Sequence, residues 1–412
     1  MPDLNELVEM EHDDPEMVPE ILPVDARLSI RAPVEKLRVL FSRCASVAVS
    51  AIEREVIAGT SNVLLEAVQA SGRTASFIRA TATDGEKTVS VVADGANVAM
   101  GGSVLLPAAR VSEILKMAPG DTAKIEVIGT QATIRSHRAL WTVQVAPGDA
   151  LSVYLDTSGV QTAPVEVKSF TAALSAARKA ASNSTARESL MQIQLRNGSF
   201  TACDGGRVHR AEAKGLDETL DVTIPIGAVD EILKAAKASD VEFAEFGYDE
   251  SHVVFETNAG RIVSQRMLVD FPAAVENLLM GPAFTNTNVL RVSRQELIDT
   301  VKRVRINANP DSAAITLGLV PSRGGDWDLS VRARDAARNS SQETIECVWR
   351  GSDKVPEITL NHHYLVDLLE VYPSDEVYFK VGEDTKSTKS PLLVEDLDLG
   401  FTGIVQQMHS LR

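Results

Sequence analysis

The chain has 412 residues, 44% of them hydrophobic, which is enough for ordinary cores and fits about three domains of common size. Its formal net charge of -16 argues at first against a polyanionic partner, although net charge does not say where charges sit. Cys44, Cys203 and Cys347 show no paired spacing, no apolar run is long enough to cross a bilayer, and no basic-then-apolar secretory start occurs. These features predict a soluble cytoplasmic protein with no disulfide framework, zinc site or cofactor.

Residues 1–26 stand apart. They hold nine acids and no lysine or arginine, interrupted by Pro15, Pro19 and Pro23. Such a stretch repels itself and buries little, so it reads as a disordered acidic tail. A second reading is a mobile arm that competes with nucleic acid for a basic surface. His12 beside Asp13 and Asp14 is a coincidence common in acidic tails rather than a metal cluster.

From Arg27 onward three phrases recur. A strand entering a helix opens each unit at Arg27, Pro164 and Val289. An Asp-centred segment follows, ATATDG ending at Gly85, TACDG ending at Gly205 and VRARDA ending at Ala336, with aspartate spacings of 120 and 131. A second strand and helix then begin at Ser103, Asp221 and Glu357. Units this long are domains with their own cores, not solenoid repeats. Apolar stripes, such as Val34, Leu37, Phe41, Cys44 and Ala48, predict helices over 33–49, 107–118, 169–187, 226–238, 293–306 and 361–372. Period-two strands such as Asn62–Val68, Val253–Thr257 and Glu376–Val381 separate them. The expectation is an α+β protein of antiparallel sheets with helices on one face, divided as tail 1–26 and domains 27–155, 156–283 and 284–412.

No nucleotide-binding, zinc-protease or nucleophile-elbow motif is present, and His362-His363 has the wrong spacing for two ligands on one helical face. The repeated Asp-Gly reads as a hairpin turn before it reads as a catalytic carboxylate, so an enzyme is not expected. The charges sort by element: the six predicted helices carry fourteen basic and eight acidic residues, +6 within a chain of net -16. A surface built from those helices attracts phosphate, unless the cations are merely solvated faces.

Across Arg27–Arg412 the chain resembles the bacterial sliding clamp, the beta subunit of DNA polymerase III. FTACDGGRVHRAEA from Phe200 is similar to that family's TDGHRLA segment, VTIPIGAVDEILK to its V-P-x-K-x-L-x-E-L stretch, and LVDFPAAVENLL to its F-P-D-Y motif. Gly403 to Met408 is similar to the terminal V-V-M-P-M. The resemblance implies three clamp domains per chain and a head-to-tail homodimeric ring, with helices on the inner face and sheets outside. Twelve helices about 10 Å apart give a hole of roughly 28 Å, wide enough for duplex DNA. It implies a non-catalytic processivity factor for DNA replication that encircles double-stranded DNA without sequence specificity. Its partners would be the DNA polymerase catalytic subunit and the clamp loader, with no membrane; the alternative is a clamp-like ring serving repair or recombination factors.

The family's hydrophobic pocket for partner peptides carries over to Cys203, Gly205, Gly206, Arg207, Val208, Leu279, Ile404, Val405, Gln406, Gln407 and Met408. Val208 and Met408 serve equally as ordinary core. Gly206 replaces the family's His, Leu279 its Pro and Gln406-Gln407 its Met-Pro, and the chain runs on to Ser410, Leu411 and Arg412, which implies altered peptide preference. The DNA-facing cations would be Lys36, Arg43, Arg110, Lys116, Arg178, Lys179, Lys234, Lys237, Lys302 and Arg303. Ring closure would pair Trp141 and Val143, on an edge strand from Ala139 to Val145, with Val304 and Ile306, although Trp141 could equally pack inward.

Overall fold

A computed structural model describes residues 26–53, 60–71, 75–151, 155, 157–279, 288–322, 324–351, 357–381 and 391–408. The acidic tail, with His12, Asp13 and Asp14, lies outside the described residues up to position 25, as do Ser410, Leu411 and Arg412. The chain divides into two compact units, Met1–Leu155 and Asp156–Arg412. Every strand pair described below is antiparallel, so the architecture is α+β.

In the first unit, one sheet runs in the order Asn97–Met100, Ala26–Pro33, Thr122–Ile128, Gln131–Ser136, Ala139–Gln144. A second set of strands runs Ala146–Pro147, Gly102–Pro107, Asn62–Val68, Phe77–Thr83, Lys87–Asp94. Helices α1 (Val34–Glu53) and α2 (Ala108–Met117) pack on each other. The predicted α1 stripe is the buried one: Leu37, Phe41, Cys44 and Ala48 recur at helical spacing and are fully buried, which is why this segment folds as a helix against sheet. Ala123, Ile125 and Val127 alternate inward along their strand, fixing its register against Ala32, Ile30 and Leu28.

The second unit holds a set ordered Gly260–Gln265, His252–Thr257, Phe243–Tyr248, Thr162–Glu166. Its larger sheet has twelve strands, beginning Asp221–Pro225, Gln192–Arg196, Ser199–Cys203, Arg207–Glu212 and ending Ser340–Arg350, Trp327–Arg334, Ala314–Pro321, Ile358–Asn361. Between these halves lie Phe401–Val405, Leu392–Asp396, Glu376–Lys380 and Val289–Ser293, so the last strand of the chain, Phe401–Val405, bonds directly to Arg207–Glu212. Its helices are α3 (Val167–Arg178), α4 (Ile226–Ala238), α5 (Ala273–Leu279), α6 (Arg294–Val304) and α7 (His362–Val371). Contacts run from α4 to α3, α3 to α7 and α7 to α6, making one row of four helices.

Five of the six predicted helices match α1, α2, α4, α6 and α7 to within a few residues. The third differs: α3 stops at Arg178 instead of continuing to 187. There the Ser182 hydroxyl accepts from the Ser184 N–H and Asn183 accepts from Arg178, so short polar side chains compete with the helical ladder and end it. A 3-10 turn, Thr185–Leu190, follows.

Candidate functional site

The turn after Ser199–Cys203 organises the site. Asp204 Oδ1 accepts from the N–H of Gly206 at 2.8 Å and of Arg207 at 3.1 Å, and Gly205 sits at φ 90°, a conformation glycine adopts without strain. The first unit repeats this: Asp84 Oδ1 accepts from Glu86 and Lys87, with Gly85 at φ 89°. Burial raises the Asp84 pKa, but Lys87 at 3.0 Å and the turn's N–H groups more than offset that and hold it below the usual carboxylate range. In the third copy Asp335 caps a longer turn by accepting from Asn339, and Arg338, at φ 73°, takes the left-handed place that glycine fills elsewhere. In each copy the carboxylate organises its own hairpin.

On one face of the strands beside this turn, Cys203, Val208 and Ile404 align through the register Cys203–Val208 and Val208–Ile404. They form a buried apolar cluster with Val275 and Leu393, rimmed by the half-buried Leu190, Phe271, Leu278 and Leu279. Burial raises the pKa of the Cys203 thiol, whose sulfur accepts from the Gly205 N–H. Cys203, Val208, Ile404 and Leu279 are therefore brought together as expected from the sequence. Val275, Leu278, Leu190, Phe271 and Leu393 were not anticipated there, although the spacing of Val275, Leu278 and Leu279 is a helical signal. Beside the cluster a groove of about 580 Å³ lies between Asp221–Thr223, Arg266–Ala273 and the start of α5.

Arg207 and Val405 point to the opposite face. Arg207 reaches Asp204 at 3.0 Å and Asp367 of α7 at 2.6 Å, and its guanidinium lies 4.5 Å from the centre of the Tyr364 ring. A Cβ on Gly206 would stand 2.6 Å from that ring, so Tyr364 occupies the space a larger residue needs. Gln406 donates its N–H to Gly206, Met408 donates to Thr359, and Gln407 is buried. These three continue the C-terminal strand past the turn without joining the apolar cluster.

Asp367 links this turn to the helix row. It accepts from Lys179 at 3.3 Å as well as from Arg207; Glu370 accepts from Lys179 at 3.3 Å and lies 3.5 Å from Lys302. Burial raises the Asp367 pKa, but Arg207 and Lys179 outweigh it and hold the carboxyl below its ordinary range. Behind this seam His209 is fully buried, with Nδ1 against the Ala176 carbonyl at 2.9 Å; burial and the Arg207 charge push its pKa down to about 4.

The expected DNA-facing cations differ in state. Arg178 pairs with Asp230 at 2.8 Å, Lys234 with Glu231 at 2.8 Å, Arg303 with Glu343 at 2.9 Å and Lys36 with Asp94 at 2.6 Å. Arg43 is half-buried. Arg110, Lys116 and Lys237 are exposed, with no carboxylate in salt-bridge reach among the described residues. At the expected ring edge, Trp141 and Val143 line a groove of about 830 Å³ with Arg110, Ile114, Met117 and Leu140. Val143 and Val304 are buried in their own domain cores, whereas Ile306 is 81% exposed.

No protein-family model and no curated protein sequence matches the chain. Solved structures do. The DNA polymerase III subunit beta of Pseudomonas aeruginosa superposes with a TM-score of 0.76 over 92% of this chain and 100% of that one, at 20% identity. The overall fold is that of bacterial sliding clamps. The Thermotoga maritima beta subunit gives 0.76 at 17% identity, covering 93% of this chain and 100% of that one. The C. crescentus beta sliding clamp gives 0.78 at 20% identity, covering 93% of this chain and 99% of that one. The clamp fold thus persists here at an identity where sequence comparison finds nothing.

Proposed function

We propose that the protein is a DNA sliding clamp, a non-catalytic processivity factor that encircles duplex DNA as a head-to-tail homodimeric ring of clamp domains 27–155, 156–283 and 284–412 and works in the cytoplasm. The observation that carries this reading is the match to whole beta subunits, over 92–93% of this chain and 99–100% of theirs. Supporting it are the row α4–α3–α7–α6, which carries Arg178, Lys179, Lys237, Lys302 and Arg303 along one helical layer, and the exposed cations of α2. Loose phosphate contacts suffice where a closed ring provides the grip.

The apolar cluster of Cys203, Val208, Ile404 and Val275, with its rim of Leu190, Phe271, Leu278 and Leu279, is the docking site for short peptides of a DNA polymerase and a clamp loader. Apolar anchors of a peptide insert there. Trp141, Leu140 and Met117 in one protomer and Ile306 in the other supply the apolar contacts of ring closure.

The test is retention on DNA. After loading, the protein stays on nicked circular duplex through gel filtration and runs off linear duplex of the same length; equal release from both forms overturns the reading. Stimulation of long primer-extension products by the cognate replicative polymerase separates the processivity role from a ring that serves only repair factors.

A further inference from the structure

The outer face of the first unit's sheet carries a feature that the clamp reading does not use. Leu28, Ile30 and Ala32 face the core, as do Ile125 and Ile134 on the neighbouring strands, so Arg31, Lys124 and Arg135 face outward. The register sets Arg31 directly opposite Lys124, and Lys124 directly opposite Arg135. Like charges placed opposite each other across strands destabilise a sheet. Glu126 lies 2.8 Å from Lys124, but Arg31 and Arg135 are exposed and have no carboxylate within salt-bridge distance among the described residues. Arg31 and Arg135 thus stand as two uncompensated charges among the described residues of this ladder, in a protein of net -16.

We propose that the acidic segment 1–25 of the same chain is the occupant of this ladder and folds back across Arg31, Lys124 and Arg135. Its charge is complementary: nine acids and no basic residue. Its attachment is favourable, because the segment joins the sheet at Ala26, on the same strand as Arg31 and about 17 Å from it at ~3.3 Å per residue. Its length fits too. Glu11, Asp13, Asp14, Glu16 and Glu20 lie within fifteen residues of Ala26, and a dozen residues can reach at most about 40 Å, well beyond the distance to Arg31. Tethering supplies an effective concentration of about millimolar, so ion pairs too weak to hold a free peptide hold this one. The segment then relieves the repulsion between the three cations and keeps other polyanions off the outside of the sheet.

Zero-length carbodiimide coupling of lysine amines to carboxylates tests this on the full-length protein, with heavy- and light-isotope copies mixed and the products read by mass spectrometry. Expected are links from Lys124 to acids between Glu11 and Glu20 within a single isotopic copy. These fall about tenfold when salt shortens the screening length to roughly 3 Å. In the variant Arg31→Gln/Arg135→Gln the same links fall about fivefold although Lys124 remains. Links unchanged in that variant overturn the proposal, as do tail carboxylates coupling equally to Lys116, Lys214 and Lys380. Heavy-to-light links also overturn it and assign the ladder to a second copy.

Discussion

Helix α2 and the row α3–α7–α6 both carry cations and present them in opposite ways. Arg110 and Lys116 of α2 meet solvent without a carboxylate among the described residues. Lys179, Lys302 and Arg303 each hold an acid of their own unit, two of them through Asp367 and Glu370 of α7, which has no lysine or arginine of its own. A tally of charge by element therefore overstates the field in one region and not in the other. What a phosphate meets is the charge left after internal pairing, although exposed pairs of this kind are worth under about 1 kcal/mol and exchange readily for a stronger anion.

The largest expected effect comes from breaking the seam. Asp367→Ala strips an acceptor from both Arg207 and Lys179; Arg207, with a side chain only 11% exposed, keeps Asp204 but loses its contact across to α7. Chemical unfolding should show a loss of about 3 kcal/mol, toward the lower end for breaking a partly buried pair. The same variant should bind DNA with a somewhat steeper salt dependence, since Lys179 then keeps only Glu370 as an internal partner.

His209, packed behind the seam, makes stability depend on pH. Its folded pKa of about 4 lies below the ordinary 6.5, so the unfolded chain binds the extra proton first and stability falls as pH drops through the window from about 6.5 to 4. Between pH 7 and pH 5 the loss should be about 2 kcal/mol from this residue. His362, pushed down to about 4 by burial, adds in the same direction. His209→Asn, whose amide can still donate to Ala176, should flatten the profile by roughly half; an unchanged slope by urea titration at the two pH values refutes the assignment.

Gly206→Ala places a methyl 2.6 Å from the Tyr364 ring and should cost about 1–2 kcal/mol by unfolding, an overpacking penalty relieved when Tyr364 is also changed to Ala. Smallest is the direct contrast between the two regions. Arg110→Gln/Lys116→Gln should lower the slope of DNA affinity against salt by about 2, whereas Lys302→Gln/Arg303→Gln should lower it by less, because those cations already have partners. Equal slopes would mean that pairing with Glu370 and Glu343 does not limit phosphate contact.

What was legible in the sequence was local. Asp204-Gly205 announces a turn because the carboxylate bonds N–H groups two and three residues on, and the α1 stripe announces a buried face because helical spacing puts Leu37, Phe41 and Cys44 together. The apolar cluster was half legible: Cys203, Val208 and Ile404 came from motif resemblance, but Leu190 and Leu393 reach it only through the strand order of the folded sheet. Asp367 and Tyr364 gave no signal, since they meet Arg207 across about 160 positions of chain. Pairing over that separation is decided by how α7 packs, which no window of sequence contains.

The position of Phe401–Val405 carries a consequence for biosynthesis. This strand bonds to Arg207–Glu212 on one side and Leu392–Asp396 on the other, so the sheet's two halves are joined by residues translated long after the strand they cover. Until Phe401–Val405 has been synthesised, Arg207–Glu212 has a bare edge and Val208 has no Ile404 to cover it. The nascent protein must therefore keep that edge open until Phe401–Val405 emerges, and a premature stop ahead of Phe401 would release a molecule that never closes it.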